Sequence, residues 1–166
     1  MTVAVSTVPA AISYLVTAAK AAFPNVLVCD GPMIVVDQQA LPDRVTIGWD
    51  GDPDTFSSAV EGDQDFAALN RGVTRNENYR IVCSVSHWDG NGDITTSRTA
   101  AAALLAAFER LVRGYPPNGQ GDVTLGGAVT WAHLAGGFQW LYELGPDGAA
   151  CTVVFHVTCF ARLTGS

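Results

Sequence analysis

Hydrophobic and polar side chains alternate most regularly between Glu77 and Trp88. Alternation with a period of two places one set of side chains on one face of a strand and the other set on the opposite face. The pattern therefore predicts a strand that buries one of its faces. The side chains expected to point inward are Tyr79, Ile81, Cys83 and Val85, and those expected to point outward are Arg80, Ser84 and Ser86.

The segment after this strand takes up the spacing of a helix. Asp89–Asp93 is composed of residues that favour sharp turns, and the apolar residues beyond it recur three or four positions apart. The hydroxyl groups of Thr95–Ser97 are the expected N-caps, and Gly114 is the expected end of the helix. The residues of the apolar stripe are Leu104, Phe108 and Leu111.

Similar patterns predict one other helix and six further strands. The helix covers Val8–Phe23 and is closed by Pro24, because the residue before a proline avoids the helical conformation. Val26–Cys29 and Met33–Val36 fit either a hairpin or one bent strand. The remaining predicted strands are Arg44–Trp49, Val123–Leu134, Phe138–Leu144 and Ala150–Leu163.

This order of elements predicts an α+β fold built as a single domain over residues 1–166. We expect a mostly antiparallel mixed sheet, with the two helices packed mainly on one face. Residues 1–7 precede the first helix and are expected to form a flexible arm. Residues 50–75 lack a clear period and are expected to form a long loop between the early strands and the central strand.

The predicted loop concentrates negative charge. It holds six of the 16 acidic residues, and no Lys or Arg occurs from Val45 to Asn70, so its charge is unbalanced locally. The net charge of −7 argues against a general nucleic-acid binder that neutralises phosphates. An acidic protein can still sit beside DNA that must slide past it. The six acids of the loop are Asp50, Asp52, Asp54, Glu61, Asp63 and Asp65.

Residues that commonly carry catalytic or metal chemistry are scattered along the chain. His87, His133 and His156 fall on separate predicted strands, and no nucleophile or phosphate-binding motif occurs. The four cysteines form no C-x-x-C pair and fit buried, reduced thiols better than metal ligands or disulfides. Gly126-Gly127 and Gly136-Gly137 fit bulges or bends inside strands better than phosphate-binding loops. We therefore expect no catalytic residue, metal or cofactor.

Two acidic segments share part of the spacing of a calcium-binding EF-hand loop. Asp50–Glu61 places acids at positions one, three, five and twelve, but Thr55 occupies the sixth position, where the loop needs Gly. Asp89–Asp93 opens in the same way, and Ile94 occupies its sixth position. Solvated turns are the favoured interpretation, and a calcium-binding or small-ligand-binding α+β module is the alternative from a different functional class.

The second helix offers surfaces for contact with another subunit. Its exposed side is expected to carry Arg98, Arg110 and Arg113, and its alanines form a flat face suited to close packing. Glu109 and Arg113 are spaced for an ion pair within the helix. Alternatively, the arginines pair across a subunit boundary with the acidic loop.

The layout of the whole chain is similar to that of one viral family. An amphipathic helix ending in Phe23-Pro24, short strands and a long loop precede the strand ENYRIVCSVSHW, the helix SRTAAAALLAAFERLVR and closing strands that end in VVFHVTCFARL. This order resembles the tail terminator proteins of long-tailed bacteriophages, in particular those that infect actinobacteria. The strand, acidic turn and alanine-rich helix of residues 77–115 carry the resemblance most strongly.

The resemblance implies a structural virion protein and not an enzyme. Members of that family form a hexameric ring that caps the tail tube, ends its polymerisation and joins it to the head-completion proteins, while DNA passes through. The implied partners are further copies of the chain, the tail tube protein and a head-completion or stopper protein, with no membrane and no sequence-specific contact to DNA. The protein would assemble in the host cytoplasm, and in the finished virion it would lie at the head–tail interface. The acidic loop would line the lumen or a face of the ring. Another head–tail connector, stopper or neck protein is the nearest alternative.

Overall fold

The computed structural model describes residues 5–32, 43–52, 58–66, 74–114 and 121–164. These residues form the predicted α+β fold, in which two helices pack against a seven-stranded mixed sheet. The elements are α1 (Val8–Ala22), β1 (Leu27–Asp30), β2 (Asp43–Ile47), β3 (Val60–Phe66), β4 (Thr74–Asp89), α2 (Ile94–Arg113), β5 (Trp131–Leu134), β6 (Gln139–Gly145) and β7 (Gly148–Thr164).

The centre of the sheet is the antiparallel pair formed by β4 and β7. All 16 residues of β4 lie opposite residues of β7, from Thr74 opposite Thr164 to Asp89 opposite Ala149. Odd-numbered residues of both strands share one face, and the predicted inward face of β4 is confirmed. The buried residues of this face include Tyr79, Ile81, Cys83, Val85, Cys151, Val153, Phe155, Val157 and Cys159. Ser84 and Ser86, predicted to point outward, lie on the opposite face but are also buried.

Shorter strands flank this central pair at its four corners. Beside β4, β2 pairs with the C-terminal half and β3 with the N-terminal half. Beside β7, β6 pairs with the N-terminal half and β5 with the C-terminal half. β1 adds to β2 in parallel. Because β4 and β7 run in opposite directions, β3 and β6 occupy diagonally opposite corners of the sheet.

Both helices cover the face formed by the odd-numbered residues, as predicted. Leu15 and Val16 of α1 and Leu104, Phe108 and Val112 of α2 join the side chains of that face in one hydrophobic core. The Phe108 ring meets Phe155 of β7 edge-on, with ring centroids 5.2 Å apart. Burial of these apolar stripes is the main force that holds the helices on the sheet.

The start of α2 differs from the prediction. Asp93 is the N-cap, and its carboxylate accepts hydrogen bonds from the Thr95 backbone N–H at 2.9 Å and the Thr96 hydroxyl at 2.5 Å. These bonds hold the pKa of Asp93 below its ordinary value. Ser97 is buried instead and donates to the Ala149 carbonyl of β7 at 2.9 Å. The predicted end is confirmed, since Gly114 adopts a left-handed conformation with φ 51°.

The predicted strand over Val123–Leu134 is wrong for most of its length, because only Trp131–Leu134 forms β5. Asp122 organises the preceding residues into turns by accepting hydrogen bonds from the Thr124 and Gly126 backbone N–H groups at 2.7 and 2.8 Å. These turns bury Leu125 and Val129, which explains the alternation that suggested a strand. Gly126-Gly127 lies in these turns, and Gly136-Gly137 lies between β5 and β6, so neither pair is a bulge inside a strand.

The predicted acidic loop over residues 50–75 is also wrong as a single loop. Val60–Phe66 forms β3, and β4 begins at Thr74, three positions before Glu77. The long β4 supplies a template of backbone hydrogen bonds, and tertiary pairing of this kind overrides weak local strand propensity. Residues 53–57 and 67–73, which include Asp54, lie outside the described residues, as does the predicted strand Met33–Val36.

The edge-on contact of Phe108 yields a test of the core. Replacing the fully buried Phe108 with Ala should lower the free energy of unfolding by about 3–5 kcal/mol, because the change removes apolar contact and leaves a cavity. Urea denaturation followed by circular dichroism measures this loss. Phe66→Ala is the matched control, since that ring is 76% exposed and should change stability by less than about 0.5 kcal/mol. Equal losses in the two variants would contradict the assignment of the core.

Candidate interaction surfaces

Three of the six predicted acids come together on β3. Glu61, Asp63 and Asp65 alternate along the strand, are exposed, and lie opposite even-numbered residues of β4. They therefore form an acidic stripe on the sheet face that points away from the helices. Arg80 approaches Glu61 to 4.0 Å, but both side chains are more than half exposed, so this pair contributes little to stability.

Asp50 and Asp52 lie apart from this acidic stripe, in the segment that follows β2. The Asp50 carboxylate accepts a hydrogen bond from the Asp52 backbone N–H at 3.0 Å. This segment passes over the sheet face opposite the helices, where Gly51 lies against Ser84. The structure thus divides the acids that the sequence grouped in one loop.

The three predicted arginines lie on the outer side of α2. The Arg98 guanidinium stacks over the Tyr142 ring of β6 at 5.3 Å, and Arg113 forms an ion pair with Glu109 at 2.8 Å. Arg110 is exposed and has no ion pair among the described residues. The alanines between these arginines are also exposed, so the outer side of α2 is flat and positively charged. They are Ala102, Ala103 and Ala106.

The acidic stripe and the arginines of α2 lie on opposite faces of one sheet. α2 packs on the face of the odd-numbered residues of β4 and β7, whereas the acids share the face of the even-numbered residues. The two charged surfaces therefore cannot meet within one subunit.

A further surface, on β6, was not predicted from the sequence. Phe138, Trp140, Tyr142 and Leu144 are between 39% and 75% exposed, although they alternate like the inward residues of a strand. Trp140 lies opposite Val153 and Tyr142 opposite Cys151, so this apolar ridge continues the helix-covered face beyond the edge of α2. Periodicity reports which residues share a face, but it does not report whether another element covers that face.

A buried carboxylate ties the N-terminal segment to the sheet. Glu77, 4% exposed, accepts hydrogen bonds from the backbone N–H and hydroxyl of Thr7 at 2.8 and 2.7 Å and from the Gln64 amide at 2.9 Å. Gln64 also donates to the Val5 carbonyl at 2.9 Å. Residues 5–7, predicted as part of a flexible arm, are therefore held by β3 and β4.

The hydrogen bonds to Glu77 also determine its ionisation. Burial alone would raise the pKa of this carboxyl, but donors from Ser6, Thr7 and Gln64 outweigh the burial and hold the pKa below its ordinary value. Every described partner of the carboxylate is a neutral donor of the same chain. The arrangement is a structural tie between α1, β3 and β4.

Two of the cysteines and one histidine of the described residues are engaged in the sheet. Cys83 and Cys159 are buried, and burial raises the pKa of each thiol to about 12, so both stay protonated and unreactive. His87 pairs with Asp43 at 2.6 Å across β2 and β4. Across the ranges that the structure covers, no three His, Cys, Asp or Glu side chains are grouped to hold a metal ion.

The second acidic turn has a structural use. The Asp89 carboxylate accepts from the Asp93 backbone N–H at 2.9 Å, and Asp93 caps α2. Both carboxylates therefore accept backbone hydrogen bonds where the turn joins β4 to α2. This agrees with the interpretation of the segment as a turn.

Comparison of the sequence with models of known protein families finds no match. No curated protein matches it either. Neither of the two helices in the described part of the chain is long and apolar enough to cross a membrane. The functional inference therefore rests on the surfaces described above.

The Glu77 tie predicts a pH-dependent stability. Because the pKa of Glu77 is lowered in the folded state, its carboxylate stabilises the fold above the unfolded-state value of about 4.3. This contribution is lost as the pH falls through the folded-state value. Glu77→Gln should lower the free energy of unfolding at pH 7 by about 1–3 kcal/mol, because it weakens charge-assisted hydrogen bonds.

Urea denaturation between pH 7 and pH 3 measures the effect. The difference between the wild type and Glu77→Gln should shrink as the pH falls. Glu109→Gln, which alters an exposed ion pair of α2, is the control and should show a small difference at every pH. A Glu77→Gln difference that stays constant with pH would contradict the assignment.

Proposed function

We propose that the chain is a structural virion protein, a phage tail terminator whose subunits close into a hexameric ring. In this proposal the ring caps the tail tube, ends its polymerisation and joins it to the head-completion proteins, and DNA passes through the centre. The function is carried by contacts between proteins, so it requires no catalytic residue and no cofactor.

The observation that carries the proposal is the separation of two complementary surfaces on one chain. The acidic stripe of β3 and the arginines of α2 carry opposite charges, but within one subunit they lie on opposite faces of the sheet. A contact between them must join two subunits, and it uses a different surface on each. Such heterologous contacts generate rings when their rotation closes.

The charge of the chain agrees with a channel for DNA. Pairing arginines of one subunit with acids of the next does not change the net charge of −7 that each subunit brings. The assembled ring would remain strongly acidic and would repel phosphates, which keeps passing DNA from binding. In this proposal Asp50 and Asp52, which lie apart from the acidic stripe, contribute negative charge to the lumen or to a face of the ring.

Charge reversal tests the proposed contact. The double variant Arg110→Glu, Arg113→Glu should raise the dissociation constant of the subunit contact at least about tenfold, because attraction becomes repulsion. Adding Glu61→Arg and Asp63→Arg to the same chain should restore assembly, since each contact would regain opposite charges. Native mass spectrometry measures the stoichiometry, and negative-stain imaging shows whether the particles are rings on the ends of tail tubes.

Lys20→Glu is the control for a charge reversal at another exposed helix position. Lys20 is exposed in the last turn of α1 and belongs to neither charged surface, so its reversal should leave assembly unchanged. A wild-type protein that stays monomeric and does not bind tube ends would overturn the proposed function. Normal rings from the double variant would overturn the proposed contact.

A further inference from the structure

The outer edge of β6 is unpaired in the described part of the chain. One edge of β6 is hydrogen-bonded to β7. Apart from these bonds, the backbone of residues 138–144 makes no hydrogen bond to any described segment. An edge strand with free backbone groups is a template for pairing with another strand.

The turn between β6 and β7 fixes which backbone groups point outward. Gly145 lies opposite Gly148, and the two residues between them form the turn. A hairpin with a two-residue loop closes on a hydrogen-bonded pair, and such pairs then alternate along the ladder. The N–H and C=O groups of Trp140, Tyr142 and Leu144 therefore point away from β7, towards the free edge.

The edge of β6 also lacks the protection that β3 has. β3 carries three exposed acids in seven residues, a common device against unwanted strand pairing. β6 carries one acid, Glu143, among large apolar side chains of which Leu144 is 75% exposed. Of these two edges, β6 is the one suited to backbone pairing with another strand.

We propose that β6 pairs antiparallel with β6 of a second copy of the chain, about a two-fold axis at Leu141. This register places Trp140 opposite Tyr142, which stacks aromatic side chains across the strands. Gln139 then lies opposite Glu143, so an amide can donate to each carboxylate. Phe138 lies opposite Leu144. The apolar ridges of both copies become one surface on the helix side of the joined sheets.

Backbone geometry limits the two-fold axis to a residue position, and side-chain pairing selects among these positions. Trp140 and Tyr142 both direct their hydrogen-bonding groups outward, so each pair exchanges two backbone hydrogen bonds. A two-fold axis between residues would set outward groups against groups that already bond β7. An axis at Glu143 would set two like charges against each other. An axis at Trp140 would set Tyr142–Gly145 opposite residues outside β6. An axis at Tyr142 would pair all seven residues of β6, but it would set Leu141 opposite Glu143 and leave that carboxylate without the Gln139 amide.

The second copy is favoured over another partner because the segment is complementary to itself. Read in either direction from Leu141, it presents an aromatic residue, then Gln or Glu, then a large apolar residue. A two-fold contact sets the residues on either side of the axis against each other, so here an aromatic residue meets an aromatic one and an apolar residue meets an apolar one. Two chains of net charge −7 also repel least where acids are few. This isologous contact is independent of the proposed ring, which uses heterologous contacts.

Engineered cysteines test the register directly. Two Leu141 residues on the axis form a non-hydrogen-bonded pair with Cα atoms about 4.5 Å apart, within the range of about 4.4–6.8 Å that a disulfide spans. Leu141→Cys should form a disulfide-linked dimer in oxidised glutathione. Gln139→Cys is the matched control, because its two copies would be about 14 Å apart. A mixture of Gln139→Cys and Glu143→Cys chains should form a linked heterodimer.

Association without cross-linking gives the second test. Leu141→Lys places two positive charges on the axis and should raise the dimer dissociation constant at least about tenfold by sedimentation analysis. Leu141 is half exposed, so circular dichroism should show an unchanged fold. Phe66→Lys on β3 is the control and should leave this dimer intact.

Two results would overturn the proposal. The first is Leu141→Cys that cross-links no faster than Gln139→Cys, which would point to a partner other than a second β6. The second is Leu141→Lys that leaves the dissociation constant unchanged. The arginine variants of α2 leave β6 untouched, so failure of the ring and failure of this pairing are distinguishable.

Discussion

The antiparallel pairing of β4 with β7 is the interaction on which the other elements depend. It aligns 16 residues of β4 with β7 and brings their apolar odd-numbered side chains onto one continuous face. That face is the surface on which α1 and α2 bury their stripes, and the outer edges of the pair are the templates for β2, β3, β5 and β6. Hydrophobic burial on one face and backbone hydrogen bonding along two edges therefore originate in the same pair of strands.

The same geometry produces surfaces that are suited to contact between proteins. Each short strand flanks only half of a long strand, so β3 and β6 lie at opposite corners of the sheet. Nearly all residues of β3 and β6 are exposed. One corner is acidic and the other is apolar, while the outer side of α2 is positively charged. Three chemically distinct surfaces on a small domain give it the means to form directional contacts with more than one neighbour.

The buried or recruited polar groups serve the fold. Glu77 fastens the N-terminal segment, Asp93 caps α2, and Asp122 shapes the turns before β5, each by accepting hydrogen bonds from the same chain. These hydrogen bonds join segments that are distant along the chain or fix local turns, so the three carboxylates contribute to the fold.

Local pattern by itself determined α1, the end of α2 at Gly114 and the buried faces of β4 and β7, because period and capping are properties of a few consecutive residues. Only the tertiary structure decided that Val60–Phe66 is a strand, since its partner β4 is distant in sequence, and that the residues before β5 form turns around Asp122. It likewise decided that the acids and arginines lie on opposite faces and that the alternation of β6 is left uncovered. A sequence pattern states which side chains share a face, whereas the packing of distant elements states which faces are buried.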